Sequence, residues 1–218
     1  MFEMNNLIVE HVLEIPHLKL NDGLISIEGQ SGSGKSTLLR LLNNLDEPTS
    51  GNIHFKKTML SSIPPRELRK RIVMVPQNPV MFDGTIRENL LIGLRFSSEK
   101  DVPDDKLEET LDLLWLKKEL DTNVSELSGG EQERIALGRV LLLEKAEVFL
   151  LDEPSSDLDD RTTEHVMEQF INIAKMLDKQ IIMVTHDKEV SKKFADCIIN
   201  MDEYSKQIRE KDEADERG

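Results

Sequence analysis

Three observations predict an α/β fold with a mostly parallel sheet. Short apolar runs at Leu24 to Ile27, Ile72 to Val75, Val148 to Leu151 and Ile181 to Val184 alternate with helical patterns, as expected of strands covered on both faces. A glycine-rich loop, Gly29 to Thr37, joins the first of these runs to the leucine-rich stretch Leu38-Leu39-Arg40-Leu41-Leu42, so it reads as strand, loop, helix. From Asn78 to Val124 no strand-like run appears, and leucines at 90, 91, 94, 107, 111 and 114 take over. That stretch reads as a helical insertion into the α/β core.

Taken in order, Leu7 to Val12 alternates weakly and predicts an N-terminal antiparallel edge strand; Gly23 then turns the chain into strand Leu24 to Glu28. After the leucine-rich helix, Asp46-Glu47-Pro48-Thr49-Ser50-Gly51 is a dense turn signal leading to a strand at Ile53 to Phe55. Pro64-Pro65-Arg66-Glu67-Leu68 opens a helix, since proline is tolerated in the first turn. Strand Ile72 to Val75 ends at Pro76-Gln77. Beyond the insertion, the sequence predicts strand Val148 to Leu151, helix Thr162 to Leu177, strand Ile181 to Val184, helix Lys188 to Phe194 and strand Cys197 to Met201. The expected organisation is one domain over 1–201, with the helical subdomain at about 78–140 and a charged, unpacked tail over 202–218.

The chain of 218 residues can bury one sizeable core. Its longest apolar runs are too short to span a bilayer, and the N-terminus carries no basic-then-apolar leader, so a cytoplasmic protein is expected. Cys197 stands alone, in a strand-like setting, and reads as a small core residue. A net charge of −14 argues against a general nucleic-acid surface. The basic cluster Arg66, Arg69, Lys70 and Arg71 reads as a solvated helix face.

Three motifs carry chemistry. In Gly29-Gln30-Ser31-Gly32-Ser33-Gly34-Lys35-Ser36-Thr37 the glycines let successive N–H groups point inward, and the following helix adds its positive end, which suits a polyphosphate. Lys35 would reach the β- and γ-phosphates, and the Ser36 hydroxyl would take a position on Mg²⁺. Strand Val148 to Leu151 runs into Asp152-Glu153, two carboxylates at the edge of the sheet from which such a loop emerges. Asp152 can hold Mg²⁺ through water, and Glu153 can polarise an attacking water. Third, Ser128 and Glu131 in Leu127-Ser128-Gly129-Gly130-Glu131-Gln132 form a capping box that opens a helix through Ile135, Ala136, Arg139, Val140 and Leu143. Two glycines in that first turn are wasteful for a simple cap, since each costs about 1 kcal/mol against alanine inside a helix. Bare N–H groups there predict a second anion site.

With these motifs in register, the sequence resembles the ATP-binding cassette (ABC) ATPases, the nucleotide-binding subunits of ABC transporters, from Leu7 to about Met201. Gly29 to Ser36 resembles Walker A, Leu127 to Glu131 the signature, and Val148 to Asp152 Walker B, followed by Glu153. Gln77 stands in the Q-loop position, Ser156-Asp157-Leu158-Asp159 in the D-loop position and His186 in the switch-histidine position. The resemblance implies a P-loop NTPase fold and a Mg²⁺-dependent ATP hydrolase. It implies catalytic roles for Glu153, His186 and Gln77, and metal contacts from Ser36, Gln77 and Asp152. ATP contacts are implied from Gly29 to Thr37, from Ser128, Gly129 and Gly130, and from Asp159. It further implies a head-to-tail dimer, with each ATP between Gly29 to Thr37 of one chain and the signature of the other.

Two departures stand out. Members of the family usually place an aromatic residue before Walker A to stack on adenine, yet Glu10 to Gly23 contains none; Ile15, His11 or His17 are the substitutes on offer. The D-loop carries Asp157 where a small residue is common. A single cassette without a membrane span resembles a stand-alone ATPase docking on a separately encoded integral membrane permease, at the inner face of the cell membrane. Its proportions resemble ATPases of metal (iron) exporters, then those of phosphate import. The segment Val80 to Asn89 is similar to the transporter-contacting segment of such proteins, with Phe82 and Ile86 as apolar plugs or as core of the insertion. The competing reading is a soluble ABC ATPase of the Fe–S assembly type.

Overall fold

The computed structural model describes residues 1–21, 23–206 and 208. Two compact bodies divide the chain, one from residues 1–72 and the segment from 182 onward, the other from residues 73–181.

The first body opens with β1 (Phe2–Val9) and β2 (Leu13–Leu20), followed by β3 (Leu24–Glu28), α1 (Lys35–Leu42), β4 (Ser50–Phe55), β5 (Thr58–Met59) and α2 (Pro65–Arg71). An antiparallel sheet has the order β2-β1-β4-β5. The N-terminal strand is therefore internal, not the edge strand expected over Leu7 to Val12. That window straddles the end of β1 and a tight turn, in which the Val12 N–H donates to the Val9 carbonyl at 3.0 Å and His11 takes a left-handed φ of 61°. Strand β2 escapes a simple alternation reading because its buried face changes partway. Leu13 and Ile15 are buried, then Leu18 and Leu20, with Pro16 and His17 exposed between. On β1 the same change falls at Asn6, φ 47°, between the cross-strand pairs Asn5–His17 and Leu7–Ile15. Pro16 is tolerated because β2 is the outer strand, where a missing N–H breaks no necessary ladder bond.

Also in this body, β8 (Gln180–Val184), which straddles the boundary, is followed by α7 (Lys188–Phe194) and β9 (Cys197–Asn200), and the strand order is β8-β3-β9. Strands β3 and β9 run parallel, from Ile25 against Cys197 to Glu28 against Asn200. Ser26, buried in β3, meets the Ser191 hydroxyl of α7 at 2.9 Å, and Ser191 donates to Glu28 Oε1 at 2.6 Å. Strand β9 ends the order, and Cys197 and Ile198 are exposed. The expectation that Cys197 is a core residue is therefore corrected. The start of the charged tail is corrected too. Met201 is buried, the backbone turns at Met201–Tyr204, and Ser205 bridges to Leu13 while the Lys206 N–H donates to the Val12 carbonyl at 3.0 Å. The rest of the tail lies outside the described residues.

In the second body β6 (Ile72–Val75), β7 (Val148–Asp152) and the start of β8 are neighbours in that order. Four helices belong to it: α3 (Ile86–Ser97), α4 (Asp104–Leu113), α5 (Gly129–Leu141) and α6 (Asp160–Met176). The six leucines expected to drive the insertion are all buried. Helices α3, α4 and α6 each pack against α5. Every residue of β7 is buried, so its terminal Asp152 is delivered from a strand with no freedom to shift.

One glycine of the first body is fixed by close approach. Gly51 has φ +84°, and a Cβ there would lie 2.2 Å from the Asn6 carbonyl oxygen, beside the irregularity at which β1 changes its buried face. Gly51→Ala should destabilise the chain by about 1–3 kcal/mol, the usual cost of a side chain forced into such a conformation. Thermal denaturation tests this, and an unchanged midpoint would contradict it.

Candidate functional site

Helix α1 begins without a side-chain cap. Its N-cap is Gly34, at φ 93°, and no acidic residue stands in the first turn. By contrast α3, α5, α6 and α7 are capped by Thr85, Ser128, Asp159 and Asp187. The first N–H groups of an α-helix have no partner within it, so a helix opened by glycine presents them, with its dipole, to an anion. Gly29, Gly32 and Gly34 all have positive φ, at 144°, 82° and 93°. Gly34 is also required by packing, since a Cβ there would lie 2.4 Å from Leu13 Cδ2. Lys35 is buried, and its ammonium donates to the Gly29 carbonyl at 2.8 Å and the Gln30 carbonyl at 2.9 Å. Ser33 Oγ is buried with no hydrogen-bond partner among the described residues. Ser31 and Ser36 are exposed and Thr37 is half-buried.

A residue that sequence reasoning missed completes this loop. Asp202 Oδ1 accepts the Gln30 N–H at 2.8 Å, and a Cβ on Gly29 would lie 2.8 Å from that oxygen. An aspartate at the head of a charged tail gives no signal in sequence; its role follows from the parallel pairing of β3 with β9.

The expected substitutes for an adenine-stacking aromatic divide. Ile15 is fully buried and cannot offer a free face, which corrects its candidacy. His11, at the tip of the β1–β2 turn, and His17, whose Nδ1 is 2.8 Å from Asn5 Oδ1, are both exposed. His186 follows β8 and is exposed at the approach to α7.

In the second body Asp152 is buried at the end of β7, and Glu153 follows with a left-handed φ of 49°. Non-glycine residues held there cost about 1–3 kcal/mol and cluster at functional sites. Gln77 is exposed beyond β6. Among the described residues no group of three or more His, Cys, Asp or Glu could hold a metal. The Ser36 hydroxyl in the first body, and the Gln77 amide and Asp152 carboxylate in the second, are each hard oxygen donors of the kind that suits Mg²⁺ rather than a softer metal.

The signature helix has its capping box. Ser128 Oγ accepts the Glu131 N–H at 3.3 Å, and Glu131 Oε2 accepts the Ser128 N–H at 2.9 Å. Burial pushes the Glu131 carboxyl up, but the Ser128 N–H and Lys118 outweigh it and leave the group below its ordinary range. Gly129 and Gly130 have a second physical reason, independent of any anion. A Cβ on Gly129 would lie 2.4 Å from Asp157 Oδ2, and one on Gly130 would lie 2.7 Å from the Asp157 carbonyl oxygen. The signature and the D-loop segment are thus in contact within this body. Asp159 caps α6, where Oδ1 accepts the Thr162 N–H at 3.1 Å and Oδ2 accepts its hydroxyl at 2.6 Å.

The family model described as ABC transporter matches residues 14–156. The chain belongs to the ABC transporter family. It is an ATP-binding cassette of that ATPase family. It is similar to the methionine import ATP-binding protein MetN of Geobacillus kaustophilus (strain HTA426), 34% identical over 191 residues, covering 85% of this chain and 56% of that protein. It is also similar to the lipoprotein-releasing system ATP-binding protein LolD of Rickettsia prowazekii (strain Madrid E), 38% identical over 200 residues, covering 88% of this chain and 87% of that protein. The chain spans between 56% and 63% of the length of the methionine-import relatives it matches. Among solved structures, the dimeric ATP-binding cassette MJ0796 bound to ADP and Pi has a TM-score of 0.79 at 28% identity, over 92% of this chain and 94% of that one. An ABC transporter ATP-binding protein from Pyrococcus furiosus shares the fold, with a TM-score of 0.81 at 22% identity, over 94% of this chain and 98% of that one.

The capping box of this cassette generates a test. Ser128→Ala removes the acceptor for the Glu131 N–H and should lower stability of the nucleotide-free chain by about 1 kcal/mol. Denaturant unfolding measures this, and a loss below a few tenths of a kcal/mol would refute the structural weight given to the cap.

Proposed function

We propose that the chain binds Mg²⁺-ATP and hydrolyses it as the ATP-binding subunit of an ABC transporter, driving a separately encoded membrane permease. The observation that carries this is the glycine-opened start of α1, with Lys35 drawn into the loop that precedes it. In this reading Lys35 leaves the Gly29 and Gln30 carbonyls for the β- and γ-phosphates, while the N–H groups of the first turn hold phosphate oxygens. Ser36, Gln77 and Asp152 would hold the metal, which when bound neutralises charge on the β- and γ-oxygens. Glu153, pinned by its backbone at the end of a fully buried strand, accepts the proton of the attacking water. His186 holds that water and the γ-phosphate in line.

Two chains would act together, the loop of one facing Ser128, Gly129 and Gly130 of the other; that a similar cassette bound to ADP and Pi is dimeric supports the pairing of two chains. For the permease, the supporting feature is an apolar patch in the second body. Val80, Phe82 and Phe96 are 64%, 38% and 62% exposed, and the two phenylalanine rings meet edge-on at 5.8 Å. Arg139 braces it from behind, donating to the Val80 and Asn89 carbonyls and lying 5.5 Å from the Phe82 ring. Burial lowers its pKa to about 10. Ile86, the other expected plug, is fully buried and belongs to the core. Among the described residues no helix is long and apolar enough to cross a membrane.

The relatives named above act in methionine import and lipoprotein release by their names, so the metal ion expected from the sequence gains no support from them. Capture of the tagged chain from detergent-solubilised cells should bring down a polytopic membrane protein. Recovery of soluble partners alone would favour the Fe–S assembly type.

Lys35→Ala should abolish measurable ATP binding in an equilibrium titration, and an unchanged affinity would remove the loop from its assigned role. Glu153→Gln should still bind ATP, accumulate as a dimer in size-exclusion chromatography with ATP, and turn over about 10²–10⁴-fold more slowly, the range expected for loss of a general base. Turnover like that of the parent chain would assign the base elsewhere.

A further inference from the structure

Helix α5 buries a carboxylate that none of the motifs above uses. Glu133 is 3% exposed, beside the buried Ile135, Ala136 and Leu137 of the same helix. An acid at such a position is costly unless its oxygens are hydrogen-bonded. Here they are, and all to one loop. Glu133 Oε1 accepts the Ser156 hydroxyl at 2.8 Å and the Asp157 N–H at 3.2 Å, and Oε2 lies 3.3 Å from the same N–H. Burial raises the carboxyl pKa, the two donors oppose that rise, and the Asp157 charge adds to it.

The bonds join the two segments that the proposed dimer needs to present together. Glu133 stands one turn into the helix that Ser128, Gly129 and Gly130 open, and Ser156 and Asp157 head the D-loop segment. At the other end of the contact the glycines receive the loop directly, with Asp157 against Gly129 and Gly130, and Leu158 against Gly130. The loop is therefore gripped twice, by steric fit at the glycines and by a buried acceptor one turn further along. Ser156 and Asp157 are exposed to solvent, so without Glu133 their donors would turn to water and the loop would lose its fixed approach.

We propose that Glu133 is a positioning residue that clamps the Ser156–Asp157 loop to the signature helix, so that both meet the partner chain's nucleotide as one rigid surface. This rests on the reading of the chain as a dimerising ATPase. In that reading the clamp acts on the assembled site and leaves the first encounter of a single chain with ATP untouched.

The test uses the full chain with Glu133→Ala, Glu133→Gln and Ser156→Ala. For Glu133→Ala, kcat for ATP hydrolysis should fall at least tenfold, while KM and the ATP affinity of the single chain stay within about twofold. Glu133→Gln should recover most of kcat, because a single amide oxygen can accept both bonds now made to Oε1. Ser156→Ala should lie between, and serves should Glu133→Ala fail to fold. Hydrogen exchange gives a readout independent of turnover: the Asp157 amide should exchange at least tenfold faster in Glu133→Ala than in the parent. An unchanged kcat in Glu133→Ala, or no rescue by Glu133→Gln, would overturn the positioning role, and unchanged Asp157 exchange would overturn the clamp itself. A parent chain that does not hydrolyse ATP would instead overturn the proposed function, and the exchange result would still decide whether the clamp exists.

Discussion

A helix that starts on a residue without a side chain has nothing of its own with which to satisfy its first N–H groups, and α1 starts on Gly34. The elements around it in the first body make that start possible. Leu13 packs so close to Gly34 that no Cβ fits. Leu13 is held in turn by the tight β1–β2 turn and by its bridge to Ser205. Upstream, Glu28 ends β3 with a bond from Ser191 of α7, and Asp202 takes the Gln30 N–H. The loop is thus fixed at both ends by neighbours distant in sequence, and its interior is left to backbone and Lys35. Preorganisation of this kind lets an anion bind without first ordering its site.

The two glycine-bearing helix starts look alike in sequence and differ in physics. At α1 the glycines open the backbone and no acidic side chain stands in the first turn. At α5 the first turn is already served by Ser128 and by the Glu131 carboxylate, itself 3.2 Å from the Lys118 ammonium. Its glycines admit a neighbouring loop rather than only bare N–H groups. The second start therefore offers a shaped surface with a more modest field.

How legible this was in the sequence depended on the range of the cause. The strand-loop-helix of residues 24 to 42, the Ser128–Glu131 box and the helices of the insertion follow from local periodicity and capping, and the structure has them. The N-terminal hairpin was misread because the buried face changes at Asn6 and Pro16, which breaks the period on which a strand is recognised. Cys197 was misplaced, and Ile86 was left open between plug and core, for one reason between them: apolar character says that a residue can be buried, while strand order and helix packing decide whether it is. Asp202 and Glu133 carried no sequence signal at all. Each is an ordinary acid until strand pairing or helix phase brings a backbone N–H to it.

An acidic chain holding a polyphosphate is less paradoxical than a net charge of −14 suggests. At physiological salt, charges beyond about 8 Å are largely screened, so what matters is the arrangement within the first shell of the loop. Two acids that flank the loop are each turned onto a donor of their own, Asp202 onto the Gln30 N–H and Glu28 onto the Ser191 hydroxyl. The inward side is left to Lys35, the α1 dipole and successive N–H groups, all of one sign. Net charge then acts at longer range, while affinity for phosphate is set by a few groups whose directions the fold has fixed.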